Sequence, residues 1–265
     1  MKKIYSLAFF RHAASAYESP RCGASQGNFF ANFLPVVVRA FRSIFLPQGW
    51  TLRIHHDDTV RKFPYFNALA QMNLRGILEL EDMGKAETLC GSMLWRMKPA
   101  MVYPEGTPGG HLVAARDLDS LPTCRELQAI NRWLAAGAGE QPVLALHDSV
   151  SHTGTALMGG MIAVRSDHTS VMTWLGTTYT GLLRLQKESG IDFNRHGSDQ
   201  EFLNRLPCRP IVYHESRESL GPRTDPRDLL SAHIGGAFHA LPAQQWYDAN
   251  LPDAELLAIE KEVGL

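Results

Sequence analysis

Residues 112–136 read LVAARDLDSLPTCRELQAINRWLAA, which is a short apolar run, a polar exit and a longer helical pattern. The apolar run at 112–115 predicts a buried strand. A helix over about 123–136 is expected to follow, because Thr123 and Glu126 have the spacing of a capping box at a helix start. A strand that leads through a short loop into a helix is the repeating unit of α/β folds, so this stretch predicts that class.

The first sixty residues predict a similar unit. Apolar strands at 4–10 and 50–55 flank a helix at 35–45. Pro35 is expected in the first turn of that helix, with Arg39 and Arg42 on its polar face. A β–loop–α–β order implies a parallel pair of strands joined by a right-handed crossover.

The rest of the chain predicts more strands and helices in alternation. Strands are expected at 77–80, 143–146 and 211–214, and helices at 86–97, 180–187, 198–206 and from 253 onward. Pro99 is expected to end the helix at 86–97, and Ser198 with Glu201 to cap the helix at 198–206. Residues 153–164 are rich in small residues around Gly159 and Gly160, and 217–228 predict a mobile surface loop. We expect one domain over 1–265, with a nucleotide-donor half over about 1–120 and an acceptor half over about 121–265.

Composition narrows the class of protein. Hydrophobic residues make up 45% and charged residues 20% of the chain, and the formal net charge is -1. That balance predicts a globular core and no overall basic field for nucleic acid. Four cysteines without a CxxC pair favour a reducing compartment, and we expect a cytoplasmic protein. The apolar run at 4–10 is too short to span a membrane.

Two carboxylates, Asp117 and Asp119, follow the strand at 112–115. Ligands of open α/β sheets bind beyond the carboxyl ends of the strands. Two carboxylates spaced in this way can share one Mg²⁺ or Mn²⁺ with a diphosphate, since both ions prefer oxygen ligands. The alternative is a solvated turn before a helix.

The ordered set of motifs is similar to a family of bacterial and viral glycosyltransferases with a GT-A-like fold. The resemblance covers roughly residues 3–238. It rests on these segments: GWTLRIHHDD (49–58), MLWR (93–96), RDLDS (116–120) with RE (125–126) and Trp133, HD (147–148) with His152, LMGGM (157–161), DQEFL (199–203) and HIGG (233–236). It implies a Rossmann-like, mixed and mainly parallel sheet flanked by helices. It also implies transfer of a sugar from a nucleotide donor, with a UDP-sugar favoured.

The resemblance also implies roles for individual residues. Asp117 and Asp119 match the family's metal and diphosphate motif, and His233 matches a histidine that adds a metal ligand, with His214 as its rival. Asp199 matches a carboxylate that could deprotonate the acceptor, and Asp148 is the second candidate catalytic group. The other residues expected at the donor are Arg96, Arg116, His152, Gly159, Gly160 and Gly235.

The nucleotide base and ribose are expected at the ends of the first two strands. In GT-A folds this edge holds the nucleotide, so the candidates are Phe10, Arg11, Tyr17, Asp57 and Asp58. Tyr17 could stack on the base. The structural alternatives are a packed loop aromatic for Tyr17 and solvated loop acids for Asp57 and Asp58.

The sequence leaves the sugar, the acceptor and the stereochemical route open. Family members often carry Arg-Asp where this chain has His147-Asp148, so the identity of the sugar is open. The acceptor could be a glycan, a lipid-linked saccharide or a hydroxylated base in viral DNA, and both retaining and inverting routes remain. Two other functions are compatible with these residues: a metal-dependent phosphoryl-transfer or hydrolytic enzyme, and a non-catalytic carbohydrate-binding protein. A P-loop or classical dinucleotide fold is disfavoured, because no GxxxxGK[ST] or GxGxxG follows the first strand.

Overall fold

The computed structural model describes residues 1–10, 26–101, 110–149, 154–221, 234, 245–247, 249–250 and 252–265. Side chains of the first helix are described from residue 34 onward. Five of the expected site residues lie outside the described residues: Arg11, Tyr17, His152, His233 and Gly235.

The fold is α/β, built on one seven-stranded sheet in the order β3-β2-β1-β4-β6-β5-β7. Neighbouring strands run parallel except at β6, which is antiparallel to β4 and to β5. The sheet is therefore mixed and mainly parallel, as predicted, and β1 and β2 form the expected parallel pair. The strands are β1 (Lys2–Phe9), β2 (Trp50–His56), β3 (Glu79–Asp82), β4 (His111–Arg116), β5 (Val143–His147), β6 (Met161–Arg165) and β7 (Val212–Ser216).

Helices cover both faces of the sheet. They are α1 (Gln26–Ile44), α2 (Pro64–Leu74), α3 (Leu89–Met93), α4 (Cys124–Ala136), α5 (Thr169–Leu175), α6 (Tyr179–Glu188), α7 (Ser198–Arg205), α8 (Arg217–Leu220) and α9 (Ala254–Glu262). The side chains of β4 show why the sheet needs a helix layer on each face. Its alternate side chains point to opposite faces, so Leu112 and Ala114 pack with α1, α2, α4 and α9, while Val113 and Ala115 pack with α3, α5, α6 and α7.

The first helix is longer than the sequence predicted, and its polar face is not solvated. Pro35 lies inside α1 rather than in its first turn. Proline removes one backbone hydrogen bond from the helix. Here the neighbouring apolar side chains from Leu34 to Phe41 are buried in the core, which offsets that loss. Arg39, predicted on the polar face of this helix, is also buried and pairs with Glu260 of α9 at 2.6 Å, so the C-terminal helix covers that face.

Two other helix predictions were wrong in detail. The helix expected at 86–97 is the short α3 followed by a 3-10 helix, Leu94–Ala100, which contains Pro99 instead of ending before it. Helix α7 is capped by Gly197 in a left-handed conformation with φ 77°, and not by Ser198. The Thr123 cap of α4 is confirmed, because its hydroxyl accepts the Glu126 amide at 3.1 Å.

Strand β6 and helices α2, α5 and α8 were not predicted, and α8 forms the start of the range 217–228 that was expected to be a loop. The run Met161–Arg165 follows two glycines and holds only five residues, so its apolar pattern does not separate a buried strand from part of a helix. Within the described ranges, no helix is long and apolar enough to cross a membrane.

Candidate active site at the carboxyl edge of the sheet

The topology brings most of the expected site residues to one edge of the sheet. The carboxyl ends of the parallel strands β1, β2, β4 and β5 share this edge, and the antiparallel strand β6 begins there, since Met161 pairs with Arg116. Residues that leave these strands therefore face the crevice where open α/β sheets bind ligands.

Arg96 joins two of the predicted acids. The 3-10 helix that carries Arg96 packs against β1 and β4. One nitrogen, Nη1, donates to Asp117 Oδ1, and Nη2 donates to Asp199 Oδ2 at 2.8 Å. Arg96 and Asp199 are each 2% exposed, whereas the side chain of Asp117 is 36% exposed. Arg96, expected at the donor, thus holds Asp117, the first carboxylate of the Asp117–Asp119 pair.

Gly159 and Gly160 lie directly against the cluster formed by Arg96, Asp117 and Asp199. A Cβ atom at Gly159 would overlap Asp199 Oδ2 and lie 2.7 Å from Arg96 Nη2, and a Cβ atom at Gly160 would overlap the carboxylate of Asp117. Glycine is required at both positions because the backbone approaches the charged groups more closely than any side chain allows. The two glycines thus define how Asp117 is placed.

The cluster carries more negative than positive charge. Burial and the charge of Asp117 raise the pKa of Asp119 to about 6. Burial also raises the pKa of Asp199, and Asp117 adds to this rise although Arg96 opposes it. Three carboxylates therefore face one guanidinium, which favours binding of a cation.

The described residues of this cluster do not by themselves form a metal site. No group of three or more histidine, cysteine, aspartate or glutamate side chains that could hold a metal ion occurs among them. Asp117 and Asp119 provide two carboxylates, and Asp117 Oδ1 already accepts from Arg96. A complete site needs a further ligand, and His233, the residue expected to supply it, is outside the described residues.

His214 lies away from this cluster. It is exposed on β7 and stacks on His147, with ring centroids 5.5 Å apart. Strand β7 is three positions from β4 in the sheet, which is about 14 Å at the usual strand spacing. His214 is therefore not placed to share an ion with Asp117.

Asp148 follows β5 at the same edge, and its carboxylate accepts hydrogen bonds from Arg125 and Ile234. Arg125 donates to both of its oxygens, each at 2.7 Å, and the backbone amide of Ile234 donates to Oδ2 at 2.9 Å. Asp148 is 3% exposed. Its carboxylate stands in a buried ion pair, and this pairing and burial disfavour contact with a sugar hydroxyl in this arrangement.

Arg116 is also buried and turns away from the crevice. Its Nε donates to Glu126 at 2.7 Å, and Nη1 donates to the carbonyls of Ala115 and Ile162. The hydroxyl of Tyr5 donates to the same glutamate at 3.2 Å. Arg116 is fully buried in this position, so the structure places it as a support of β4 and α4 and not at a donor.

Asp57 and Asp58, which are expected near the nucleotide base, lie in different environments. Asp57 caps a 3-10 helix, Asp58–Lys62, and its Oδ1 accepts from Thr59 at 2.6 and 3.1 Å. Its Oδ2 is buried and has no hydrogen-bond partner among the described residues. Asp58 is exposed and pairs with Arg61 at 3.2 Å. Phe10 packs edge-on against Trp95.

Sequence reasoning gave no role to Arg125 or Trp95. The sequence contains one indication for Arg125. A cation in the first turn of a helix interacts unfavourably with the helix dipole, so a nearby acid is expected to compensate for it. No local pattern named Asp148 as that acid, because the partner is on another strand.

A scan against protein-family models finds no family that matches this chain, and a search of curated proteins finds no significant match.

Proposed function

We propose that this protein is a metal-dependent glycosyltransferase that moves a sugar from a nucleotide-sugar to a hydroxyl acceptor. The observation that carries the proposal is the pair Asp117 and Asp119 at the carboxyl end of β4, with Asp117 held by Arg96. The mixed, mainly parallel sheet with helices on both faces supports a GT-A-like fold. The motif resemblance supplies the reaction class.

The metal fits the residues that are present. Asp117 keeps Oδ2 free of Arg96, and Asp119 lies close enough to Asp117 for their charges to interact. Oxygen ligands suit Mn²⁺ or Mg²⁺, and His233 is proposed as a further ligand. A bound ion would stabilise the negative charge of the nucleotide leaving group.

Arg96 and Asp199 orient the carboxylate that holds the ion. Arg96 fixes Asp117 Oδ1, and Asp199 fixes Arg96 from the opposite side at 2.8 Å. Gly159 and Gly160 allow the backbone to lie directly against this cluster. The site is thereby organised before the substrate arrives, which reduces the reorganisation needed when charge develops.

Asp57 lies at the edge where the resemblance expects the nucleotide base. Its Oδ2 is an acceptor with no hydrogen-bond partner among the described residues, so it could accept a donor group of the base. Uracil, thymine and guanine offer a ring N–H, and cytosine and adenine offer an amino group, so this acceptor does not select one base. The preference for a UDP-sugar comes from the resemblance.

The test is a thermal-shift screen of UDP-, GDP-, dTDP- and CMP-sugars with and without Mn²⁺. We expect a UDP-sugar to raise the melting temperature only when Mn²⁺ is present, because ligands that bind the native state stabilise it. Asp119→Ala should abolish the shift. Glu140→Ala, which removes an exposed carboxylate from the connection between α4 and β5, is the control and should keep it.

Turnover assays separate the alternatives. Release of free sugar or phosphate without any acceptor would favour the hydrolytic enzyme. A shift without turnover on any acceptor would favour a carbohydrate-binding protein. No shift with any nucleotide in a folded sample rejects the donor site.

A further inference from the structure

Two histidines lie side by side where β5 pairs with β7. His147 is the last residue of β5, and His214 is in β7, which ends the order of strands in the sheet. The register pairs Ala145 with His214 and His147 with Ser216, so the two histidines are two positions apart on neighbouring parallel strands. Side chains at this spacing point to the same face of a sheet. The two imidazole rings therefore meet, with centroids 5.5 Å apart and planes 18° apart.

The hydrogen bond of His147 decides which of its ring nitrogens is able to bind an ion. Its Nε2 lies 2.9 Å from the carbonyl oxygen of Thr155. A carbonyl oxygen only accepts hydrogen bonds, so Nε2 carries the proton of the neutral ring and Nδ1 keeps its lone pair. Histidine ligands of metal ions commonly donate their second ring N–H to a carbonyl or a carboxylate, which orients the ring. His147 thus has the tautomer and the support of a metal ligand.

His214 is accessible as the second ligand. It is exposed, so its ring can change rotamer quickly when an ion approaches. Burial lowers the pKa of His214, and the charges of His147 and Arg209 lower it further, which favours the neutral ring that binds metals. Arg209 opposes a cation only weakly, because it is exposed to water and salt.

The type of ligand selects the type of ion. Imidazole nitrogen suits Zn²⁺, whereas Mn²⁺ and Mg²⁺ prefer oxygen. The described ranges contain no metal-binding group of three or more histidine, cysteine, aspartate or glutamate side chains, so water must complete the coordination. A tetrahedral ion with Zn–N distances of about 2.0–2.1 Å brings its two nitrogens to about 3.3 Å from each other. The stacked rings must therefore turn toward each other when the ion binds.

We propose that His147 and His214 form a second metal site, which binds Zn²⁺ through one imidazole nitrogen from each residue. The ligand of His147 is Nδ1, because the Thr155 carbonyl holds the proton on Nε2. The site is separate from the Asp117–Asp119 pair, since β5 and β7 are two and three strands from β4, which is about 10 and 14 Å. It does not depend on the proposed sugar transfer.

The experiment is an isothermal titration of Zn²⁺ into Asp119→Ala protein, in which the proposed Asp117–Asp119 site is disabled. His147→Gln and His214→Gln are then compared in this background. We expect each replacement to weaken Zn²⁺ binding at least about tenfold, because loss of a ligand should cost at least as much as loss of an outer-shell partner.

The matched control is His196→Gln, in the same background. His196 is an exposed histidine in the connection between α6 and α7, so its loss removes one imidazole from the surface without touching either strand. We expect this variant to bind Zn²⁺ as tightly as its parent. If His147→Gln does not fold, the exposed position of His214 keeps the comparison possible with His214→Gln alone.

Proton–nitrogen NMR spectra of the imidazole rings identify the ligating atoms. We expect Zn²⁺ to shift Nδ1 of His147 and one ring nitrogen of His214, and to leave the ring of His196 unchanged. Three results would overturn the site: absence of Zn²⁺ binding in the parent protein, full affinity in either ligand variant, or an equal loss in the His196 control. Shifts at only one of the two rings would also reject a shared ion.

Discussion

Gly160 lies against the carboxylate of Asp117 so closely that a Cβ atom at position 160 would overlap both Oδ2 and Cγ. The contact links the start of β6 to the exit of β4, and these strands are antiparallel neighbours. The proposed metal ligand is thus placed from two directions, by Arg96 on one side and by the backbone of Gly160 on the other.

The first prediction follows from that contact. In Gly160→Ala, the added methyl group must displace the Asp117 carboxylate, so we expect Mn²⁺ affinity to fall at least about tenfold while overpacking costs about 1–3 kcal/mol of stability. Gly154→Ala is the matched control, because a Cβ atom there has nothing within 4 Å. Isothermal titration with Mn²⁺ measures the difference. Equal affinities in the two alanine variants would show that Asp117 does not bind the ion.

The second prediction concerns Arg96, whose guanidinium bonds both Asp117 and Asp199. Arg96→Lys keeps the charge but cannot donate to both carboxylates with the same geometry, and it leaves Asp199 buried without its partner. We expect the free energy of unfolding in urea to fall by about 3 kcal/mol, as is usual when one partner of a buried pair is lost.

Arg61→Lys provides the comparison for that measurement. Its pairs with Asp58 and Asp82 are exposed, so the change should cost less than about 1 kcal/mol. A cost for Arg96→Lys as small as for Arg61→Lys would mean that the buried cluster contributes little to the fold.

The third prediction separates two roles of Asp199. Its Oδ2 is committed to Arg96 and the residue is 2% exposed, so we expect Asp199 to act mainly by orienting Arg96. Asp199→Asn should then lower Mn²⁺ affinity about tenfold together with kcat. Loss of kcat by about a hundredfold or more with unchanged Mn²⁺ affinity would instead favour the predicted role as general base.

Local patterns were sufficient where the structure depends on local physics. The Thr123 cap, the helix expected from 253 onward and the strand at the start of the chain were all visible as spacing or as apolar runs. The placement of Asp117, Asp57 and Asp148 at strand exits follows from the same patterns, because parallel strands present their carboxyl ends at one edge.

Long-range partners could not be predicted in the same way. The sequence places Arg39 on the polar face of a helix but does not name its partner, Glu260, which is on the last helix of the chain. The sequence offers Asp148 as a candidate catalytic group, because Arg125 and Ile234 reach it only after β5, α4 and the C-terminal part are packed. The role of each charged residue is set by these pairings, and sequence spacing does not contain them.

The last prediction concerns a buried histidine that the proposed reaction does not use. His55 on β2 is fully buried. Its Nε2 lies 3.1 Å from Ser6 Oγ, and its Nδ1 lies 3.1 Å from Glu81 Oε2. Burial lowers the pKa of His55, and Arg53 and Lys98 lower it further, although Glu81 acts in the opposite direction. Glu81 stays ionised near neutral pH, since His55 and Lys98 lower its pKa to about 2 against the effect of burial.

A lowered pKa makes the unfolded state bind the proton more tightly than the folded state does. Stability from His55 is therefore fully present above its unfolded pKa of about 6.5 and is lost as the pH falls through the lower folded value. We expect the free energy of unfolding to decrease between pH 7.5 and 5.5 in wild type, and His55→Gln to show a smaller decrease. Urea unfolding at the two pH values measures both slopes, and equal slopes would mean that His55 binds its proton equally well in the folded and unfolded states.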